Sequence, residues 1–198
     1  KEIGKYENTF IIFSSDNGPT HKRQVDINFF NSAGIFVNSK KTVKGSVNEG
    51  GIRVPSIATW PKQIKAGSKS DHPSTFYDYF ATVSDIIGEA PPYEIDGISY
   101  YPTLIGKKQM AHEYLYWEFP AYGGQQAIRI NQWKGIKKDL FKGSSDLQIF
   151  NLADDPKELN NLASNHPDIV EKMQRYMDQA HTEAQMEKFK IPVLDNKN

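Results

Sequence analysis

The segment Thr9-Phe10-Ile11-Ile12-Phe13 is a short, unbroken apolar run of β-branched and aromatic residues, and it stops at Ser14-Ser15-Asp16-Asn17-Gly18-Pro19. That pattern predicts a strand buried on both faces, as in a parallel sheet with helices on either side. Val54 to Trp60, closed by Pro61, predicts a second strand of the same kind. Between the two lies a long polar stretch rich in Asn, Lys and Gly. Connections of such length are usually functional or poorly ordered.

Thr75 to Ile87 predicts a helix. Thr75 and Asp78 are spaced as a capping box, Phe76, Tyr79, Phe80, Val83, Ile86 and Ile87 recur at helical spacing, and Gly88 closes the segment. Ala90-Pro91-Pro92 then opens a turn-rich passage ending near Gly106, a natural boundary. Beyond it the texture changes. Glu113 to Phe119 alternates as a strand, Ala127 to Ile130 and Trp133 to Lys137 pair around Asn131-Gln132, and Leu147 to Asn151 forms another. Runs of strands with short turns point to an antiparallel sheet. A last helix starts around Asn165 to Pro167, and its stripe of Ile169, Met173, Tyr176, Met177 and Ala180 is spaced to pack on one face of that sheet. The expected organisation is an α/β portion over 1–110, a small α+β portion over 111–187 and a loose tail over 188–198.

Composition excludes several classes. The 24 Lys and Arg balance 24 Asp and Glu across 198 residues, so the chain is no polybasic nucleic-acid binder. No apolar run approaches the roughly 18 residues that a membrane-spanning helix needs, and no signal-peptide segment is visible at Lys1 to Asn8. There is no cysteine, which removes disulfides, Cys-ligated zinc and a thiol nucleophile from these residues. The charge is uneven locally: from Asp16 to Arg53 the cations Lys22, Arg23, Lys40, Lys41, Lys44 and Arg53 outnumber Asp16, Asp26 and Glu49. A basic segment in a neutral chain suits either an anion site or a solvated surface.

Two motifs carry chemistry. Asp16-Asn17-Gly18 follows the first strand, at the sheet edge where ligands bind in open α/β folds. A carboxylate and an amide carbonyl are hard oxygen donors suited to Ca²⁺ or Mg²⁺, although the same residues are also strong turn formers. A calcium site takes about six oxygens, so this pair alone is insufficient. The second motif runs Lys44-Gly45-Ser46-Val47-Asn48-Glu49-Gly50-Gly51-Ile52-Arg53-Val54-Pro55. Its lysine offers a compact point charge to an anionic group. Glu49 and Arg53, four apart, are spaced to brace the loop, and Gly50 and Gly51 read as permissive backbone for a tight bend. The aromatics Tyr114, Tyr116, Trp117, Phe119 and Tyr122 are read mostly as sheet core, with the Pro120 to Gln125 loop as the place for substrate contact. Histidines 72, 112, 166 and 181 have no motif around them and default to surface or helix-cap roles.

Taken in order, Thr9 to Gly18, then Lys44 five residues before Glu49-Gly50-Gly51-Ile52-Arg53-Val54-Pro55, resembles the type I sulfatases of the alkaline-phosphatase-like superfamily, in particular the arylsulfatase A-like branch. The likeness continues through Trp60-Pro61, Asp96-Gly97-Ile98-Ser99, Ile149-Phe150-Asn151-Leu152 and Asp155-Pro156-Lys157-Glu158-Leu159, and covers nearly the whole chain. It implies the remainder of an alkaline-phosphatase-like parallel sheet layer plus a small C-terminal antiparallel sheet packed by a terminal helix. It implies hydrolysis of sulfate esters of a sulfated glycan or aryl sulfate, Asp16 and Asn17 as calcium ligands, Lys44 on the transferred sulfate and His21 as a candidate substrate contact. The family's nucleophile, a formylglycine made from Cys or Ser in a Cys/Ser-X-Pro-X-Arg motif, has no counterpart here. The resemblance therefore implies the C-terminal portion of a sulfatase, partnered by an upstream half of the same protein, inactive alone and periplasmic or secreted. A phosphoryl or phosphonate ester hydrolase of the same superfamily and a non-catalytic module holding sulfated glycan are the alternatives.

Overall fold

The computed structural model describes residues 1–21 and 25–195. Lys22 and Arg23 of the basic segment, and 196–198 at the end of the expected tail, lie outside the described residues. The elements are, in order, β1 (Ile11–Ser14), α1 (Ile27–Phe30), α2 (Glu49–Ile52), β2 (Ser56–Thr59), α3 (Asp78–Ile87) and α4 (Tyr101–Leu104). They continue with β3 (Leu115–Phe119), β4 (Gln125–Ile130), β5 (Trp133–Lys138), β6 (Gln148–Asn151), α5 (Pro167–Ala180) and α6 (Pro192–Asp195). The class is mixed α/β. The chain divides into two compact units, and the division differs from the one expected at 110: residues 1–14 and 55–113 form one, and 15–54 join the residues from 114 onward in the other.

In the first unit, β1 pairs with β2 antiparallel, Ile11 opposite Thr59 and Phe13 opposite Ile57. This corrects the expectation of two parallel strands buried on both faces. Phe13 is 67% exposed and Ile57 62% exposed. An apolar run reports that a strand has no polar face; it does not report the direction of its neighbour.

The helix α3 departs from expectation in a similar way. Its apolar positions Phe80, Val83 and Ile87 are exposed, while Asp78, Ala81, Thr82 and Ser84 are buried. A polar network anchors that side. The Asp78 carboxylate accepts from Thr75 N (2.8 Å), Ile98 N (2.9 Å) and the His112 ring (Nε2, 2.8 Å), and Thr82 Oγ1 accepts from Tyr100 N (3.0 Å). Only the Asp78 half of the expected capping box forms, since the Thr75 hydroxyl is buried with no hydrogen-bond partner among the described residues. Gly97 has no room for a side chain: a Cβ there would lie 2.2 Å from the Tyr77 carbonyl oxygen. Gly88 ends the helix in the left-handed region, φ 75°, where glycine is at no steric disadvantage.

The second unit is built on the four-stranded antiparallel sheet in the order β3-β4-β5-β6, with the β4–β5 hairpin turning at Asn131 (φ 51°). Alternation sends Ile128 and Ile130 of β4 to one face, where Met173, Tyr176 and Met177 of α5 cover them together with Ile149. The opposite face carries Ala127, Ile136 and Phe150, and there Val47 packs, from the long connection between β1 and β2. Both faces are therefore covered, one by a helix and one by a loop.

The C-terminal segment is no loose tail over its described residues. Ile191 and Leu194 are buried against Leu140, and the Asp195 carboxylate lies 3.3 Å from the His181 ring. His181, the C-cap residue of α5, also contacts Glu118 at 2.6 Å, and His112 is nearly enclosed beside Asp78, so neither is a surface histidine, though His181 holds a helix-cap position. His166 does sit at the N-cap of α5, without a capping hydrogen bond from its side chain, and packs on Trp133 at 4.8 Å.

Met173 has no exposed surface and lies against Gly135, where an added Cβ would meet its sulfur at 2.8 Å. Met173→Ala is expected to cost about 2–5 kcal/mol of stability, read as a lowered urea midpoint. An unchanged midpoint would show that α5 is not the cover of the sheet.

Candidate functional site

The two motifs that the sequence separates by 25 residues are brought together by backbone contact. Gly18 N donates to the Gly51 carbonyl at 2.8 Å, and Lys44 N donates to the Pro19 carbonyl at 3.1 Å. Asp16-Asn17-Gly18-Pro19 is thus tied to both ends of the Lys44 loop. The approach is so close that a Cβ on Gly18 would lie 1.8 Å from the Gly50 carbonyl oxygen. Gly50 and Gly51 are equally constrained, with Thr42 O at 2.6 Å and Ser46 O at 2.1 Å from their respective Cβ positions. Neither glycine adopts a positive φ. The expected permissive bend is corrected: they sit in the single turn of α2 because backbone passes where side chains would be.

Lys44 is exposed, and among the described residues no ion pair engages its ammonium. Asp16 is exposed as well. The Asn17 amide nitrogen donates to Gly18 O at 3.0 Å, which leaves its carbonyl oxygen as the accepting end of the group. His21, two residues beyond Pro19, is half-buried, and its Nδ1 is enclosed with no hydrogen-bond partner among the described residues. The donors fit a hard divalent cation in kind but not in number, since Asp16 and Asn17 supply two side-chain oxygens where calcium takes about six. Among the described residues no cluster of three His, Cys, Asp or Glu could hold a metal.

What fixes the Lys44 loop is a buried ionic network that sequence reasoning missed. Lys134 of β5 has no exposed surface; its Nζ lies 2.7 Å from Glu49 Oε1 and 3.0 Å from Glu158 Oε1. Glu158 Oε2 accepts from Asn48 Nδ2 at 2.8 Å and from Glu49 N at 2.9 Å. Lys138 Nζ donates to Asn48 Oδ1, which also accepts from the Ser46 hydroxyl at 2.7 Å. Gln125, 4% exposed, donates to Gly45 O (3.0 Å) and accepts from Val47 N (3.3 Å). Burial pushes the Glu49 carboxyl up, but Lys134, Arg129 and Arg53 outweigh it and the net displacement is downward. Burial pushes the Lys138 ammonium down, against the pull of Glu158.

The expected Glu49–Arg53 brace is present at 3.3 Å, with the guanidinium 4.3 Å from the Phe36 ring centroid. In sequence Lys134 reads as one outward polar residue in Trp133-Lys134-Gly135-Ile136, and nothing marks its carboxylate partners. In sequence Glu158 is marked only by its place in the Asp155-Pro156-Lys157-Glu158-Leu159 stretch of the resemblance; in the structure it adopts φ 56°, an unusual backbone for a non-glycine residue.

Comparison with known proteins gives the family. Residues 43–185 match the family model described as N-sulphoglucosamine sulphohydrolase, C-terminal. The chain belongs to that family. It is 27% identical over 195 residues to an N-acetylgalactosamine-6-O-sulfatase of Bacteroides thetaiotaomicron, covering 89% of this chain and 37% of that protein. It is 39% identical over 127 residues to human steryl-sulfatase, covering 61% and 21% respectively. A solved structure from a study of glycosaminoglycan metabolism by Bacteroides thetaiotaomicron superposes with a TM-score of 0.72 at 27% identity, covering 90% of this chain and 40% of that one. Ps i-CgsB in complex with k-i-k-neocarrahexaose superposes with a TM-score of 0.69 at 28% identity, covering 89% and 38%. The chain thus spans well under half the length of these relatives. Its residues correspond to the C-terminal portion of sulfatases of the alkaline-phosphatase-like superfamily.

Removing Lys134 strands two carboxylates. Lys134→Met is expected to cost about 3–5 kcal/mol in chemical denaturation, and adding Glu49→Gln and Glu158→Gln should restore part of that loss. The acid limb carries a second signature. A carboxyl lowered from 4.5 contributes stability above that value and loses it as pH falls through the lowered one. Glu49→Gln should therefore flatten the loss of stability below about pH 4.5. An unaltered acid limb would remove Glu49 from the network.

Proposed function

We propose that this chain carries the sulfate-binding side of a sulfatase that hydrolyses sulfate esters of a glycan. The observation that carries the reading is the junction of the two motifs, with Lys44 N on Pro19 O and Gly18 N on Gly51 O. It sets an exposed lysine on the loop that is tied to the Asp16-Asn17 turn. The reaction R–O–SO₃⁻ + H₂O gives R–OH and hydrogen sulfate, with cleavage of the ester S–O bond. Charge builds on the leaving oxygen and is redistributed over the sulfuryl oxygens, and a fixed cation beside them lowers the barrier.

In this proposal Lys44 neutralises a sulfuryl oxygen, Asp16 and Asn17 supply two ligands to Ca²⁺, and His21 is a second substrate contact. A divalent cation held there would add Lewis acidity, and a formylglycine in the remainder of the enzyme would supply the nucleophile. The chain's own part is to hold Lys44 on a loop that cannot relax, since Glu158 grips its backbone at Glu49 and Gln125 grips it at Gly45 and Val47.

A glycan substrate is supported by the relative that covers 89% of the chain, named for N-acetylgalactosamine 6-O-sulfate, and by the related structure bound to neocarrahexaose. A further portion of the enzyme, upstream in the family's order, is supported by the exposed apolar side chains Phe13, Ile57, Phe80, Val83 and Ile87. No described helix is long and apolar enough to cross a membrane. Export to the periplasm or the exterior belongs to the same proposal.

In the complete enzyme, Lys44→Ala is expected to lower turnover of a sulfated sugar about a hundredfold or more, measured as released sulfate. Nearly full turnover in that variant would overturn the assignment.

A further inference from the structure

The loop between β3 and β4 holds three consecutive residues in the left-handed region: Tyr122 at φ 51°, Gly123 at 93° and Gly124 at 75°. For the two glycines this is inexpensive. For tyrosine it is not, because an L side chain in that region crowds its own backbone, at about 1 kcal/mol or more. The strain persists because the loop is fixed on all sides. Leu140 N donates to Gly124 O at 3.2 Å and Phe141 N to Gly123 O at 3.0 Å, while Gln125, the next residue, is clamped to Gly45 and Val47.

The strained residue is placed against the Lys44 loop. A Cβ on Gly45 would lie 2.9 Å from the Tyr122 ring, and Gly45 itself has φ 90°. The ring also stacks on Phe119, centroids 6.0 Å apart and planes 30° apart. Held from two sides, Tyr122 remains 65% exposed. A core aromatic would bury its area, and a surface loop with no other duty would carry Asn or Gly at such a φ.

We propose that Tyr122 is a specificity-determining residue whose exposed ring is the platform for the sugar ring of the substrate when its sulfate reaches Lys44. This rests on the sulfatase reading of the Lys44 site. The surroundings favour a pyranose over a sterol-like group. Gly123 lies against Asp139, whose Oδ1 would be 3.2 Å from a Cβ there, and Asp139 pairs with Lys142 at 2.8 Å, both of them exposed. A flat aromatic face beside charged hydrogen-bonding groups matches a sugar, which has an apolar C–H face and a rim of hydroxyls. A sterol calls for an enclosed apolar slot.

The test uses the complete enzyme, a sulfated hexosamine disaccharide and three variants: Tyr122→Asn, Tyr122→Phe and Lys44→Ala. Asparagine tolerates the left-handed backbone, so Tyr122→Asn removes the ring while relieving the strain. Its expected result is KM raised about tenfold with kcat retained, together with an unchanged or higher melting temperature. Tyr122→Phe keeps the ring and should raise KM less than Tyr122→Asn does. An unchanged KM in Tyr122→Asn, or a loss of kcat together with a lowered melting temperature, would overturn the platform. In either case sulfate release by the parent and its loss in Lys44→Ala would leave the sulfatase reading standing. A parent that releases no sulfate from any sulfate ester would overturn both.

Discussion

A single ammonium with no access to water, that of Lys134, sits between the carboxylates of Glu49 and Glu158. Each carboxylate comes from a different stretch of chain, one from the Lys44 loop and one from the segment after β6. Glu158 does more than balance charge: its second oxygen binds the Asn48 side chain and the Glu49 backbone N–H. An apolar trio of equal volume would fill the space and escape the desolvation cost, and in some proteins such a swap is stabilising. It would not specify where the backbone of 48–49 runs. Here the ionic network acts through geometry, because the donors it satisfies belong to the loop it positions.

That geometry explains why the second unit is layered as it is. The sheet of β3 to β6 would be amphipathic if it met solvent on one face, with apolar residues alternating with free polar ones. Instead α5 covers one face with Met173, Tyr176 and Met177, while the loop carrying Val47 covers the other. Polar residues on the loop-covered face, Gln125, Lys134 and Lys138, are consequently buried or nearly so, and each is used to hold a loop atom. The sheet serves as a rigid bed for a segment that has almost no regular structure of its own. Binding groups placed on such a bed combine the reach of a loop with the precision of a sheet.

Much of this was legible in the residues. Strand-like runs joined by short turns placed the four strands in an antiparallel sheet, and the 3.6-residue stripe placed α5 and its buried methionines. The Asp16-Asn17 and Lys44 motifs stood out as residues that the structure then joins through their backbones, and Glu49 with Arg53 marked a brace that the structure contains. What was not legible has a common cause. Lys134 looks like any outward lysine on a strand, because burial by a loop more than eighty residues earlier leaves no periodic trace. The stripe of Phe80, Val83 and Ile87 is exposed within these residues, because helical spacing identifies an apolar face but not what covers it. His112 and His181 lack a motif since their carboxylate partners are distant in sequence. The residues at 191–194 read as tail because about one turn of helix is too short to show a period, yet Ile191 and Leu194 are buried against Leu140.

The glycines sharpen the point about what sequence can express. Gly88, Gly45, Gly123 and Gly124 occupy backbone that other residues avoid, whereas Gly18, Gly50, Gly51 and Gly97 have ordinary φ values and are required by contact. The two groups are indistinguishable as letters. The second group is the more restrictive, because a left-handed position still admits asparagine at modest cost, while a carbonyl oxygen 1.8 Å from a would-be Cβ admits nothing. Three of its four members, Gly18, Gly50 and Gly51, lie where the Asp16-Asn17 turn meets the Lys44 loop. The closeness of that junction, rather than flexibility, is what those glycines supply. It follows that the backbone of the Asp16-Asn17 turn is held to that of the Lys44 loop by hydrogen bonds and packing, and in the sulfatase site proposed above that would be the preorganisation that charge stabilisation requires.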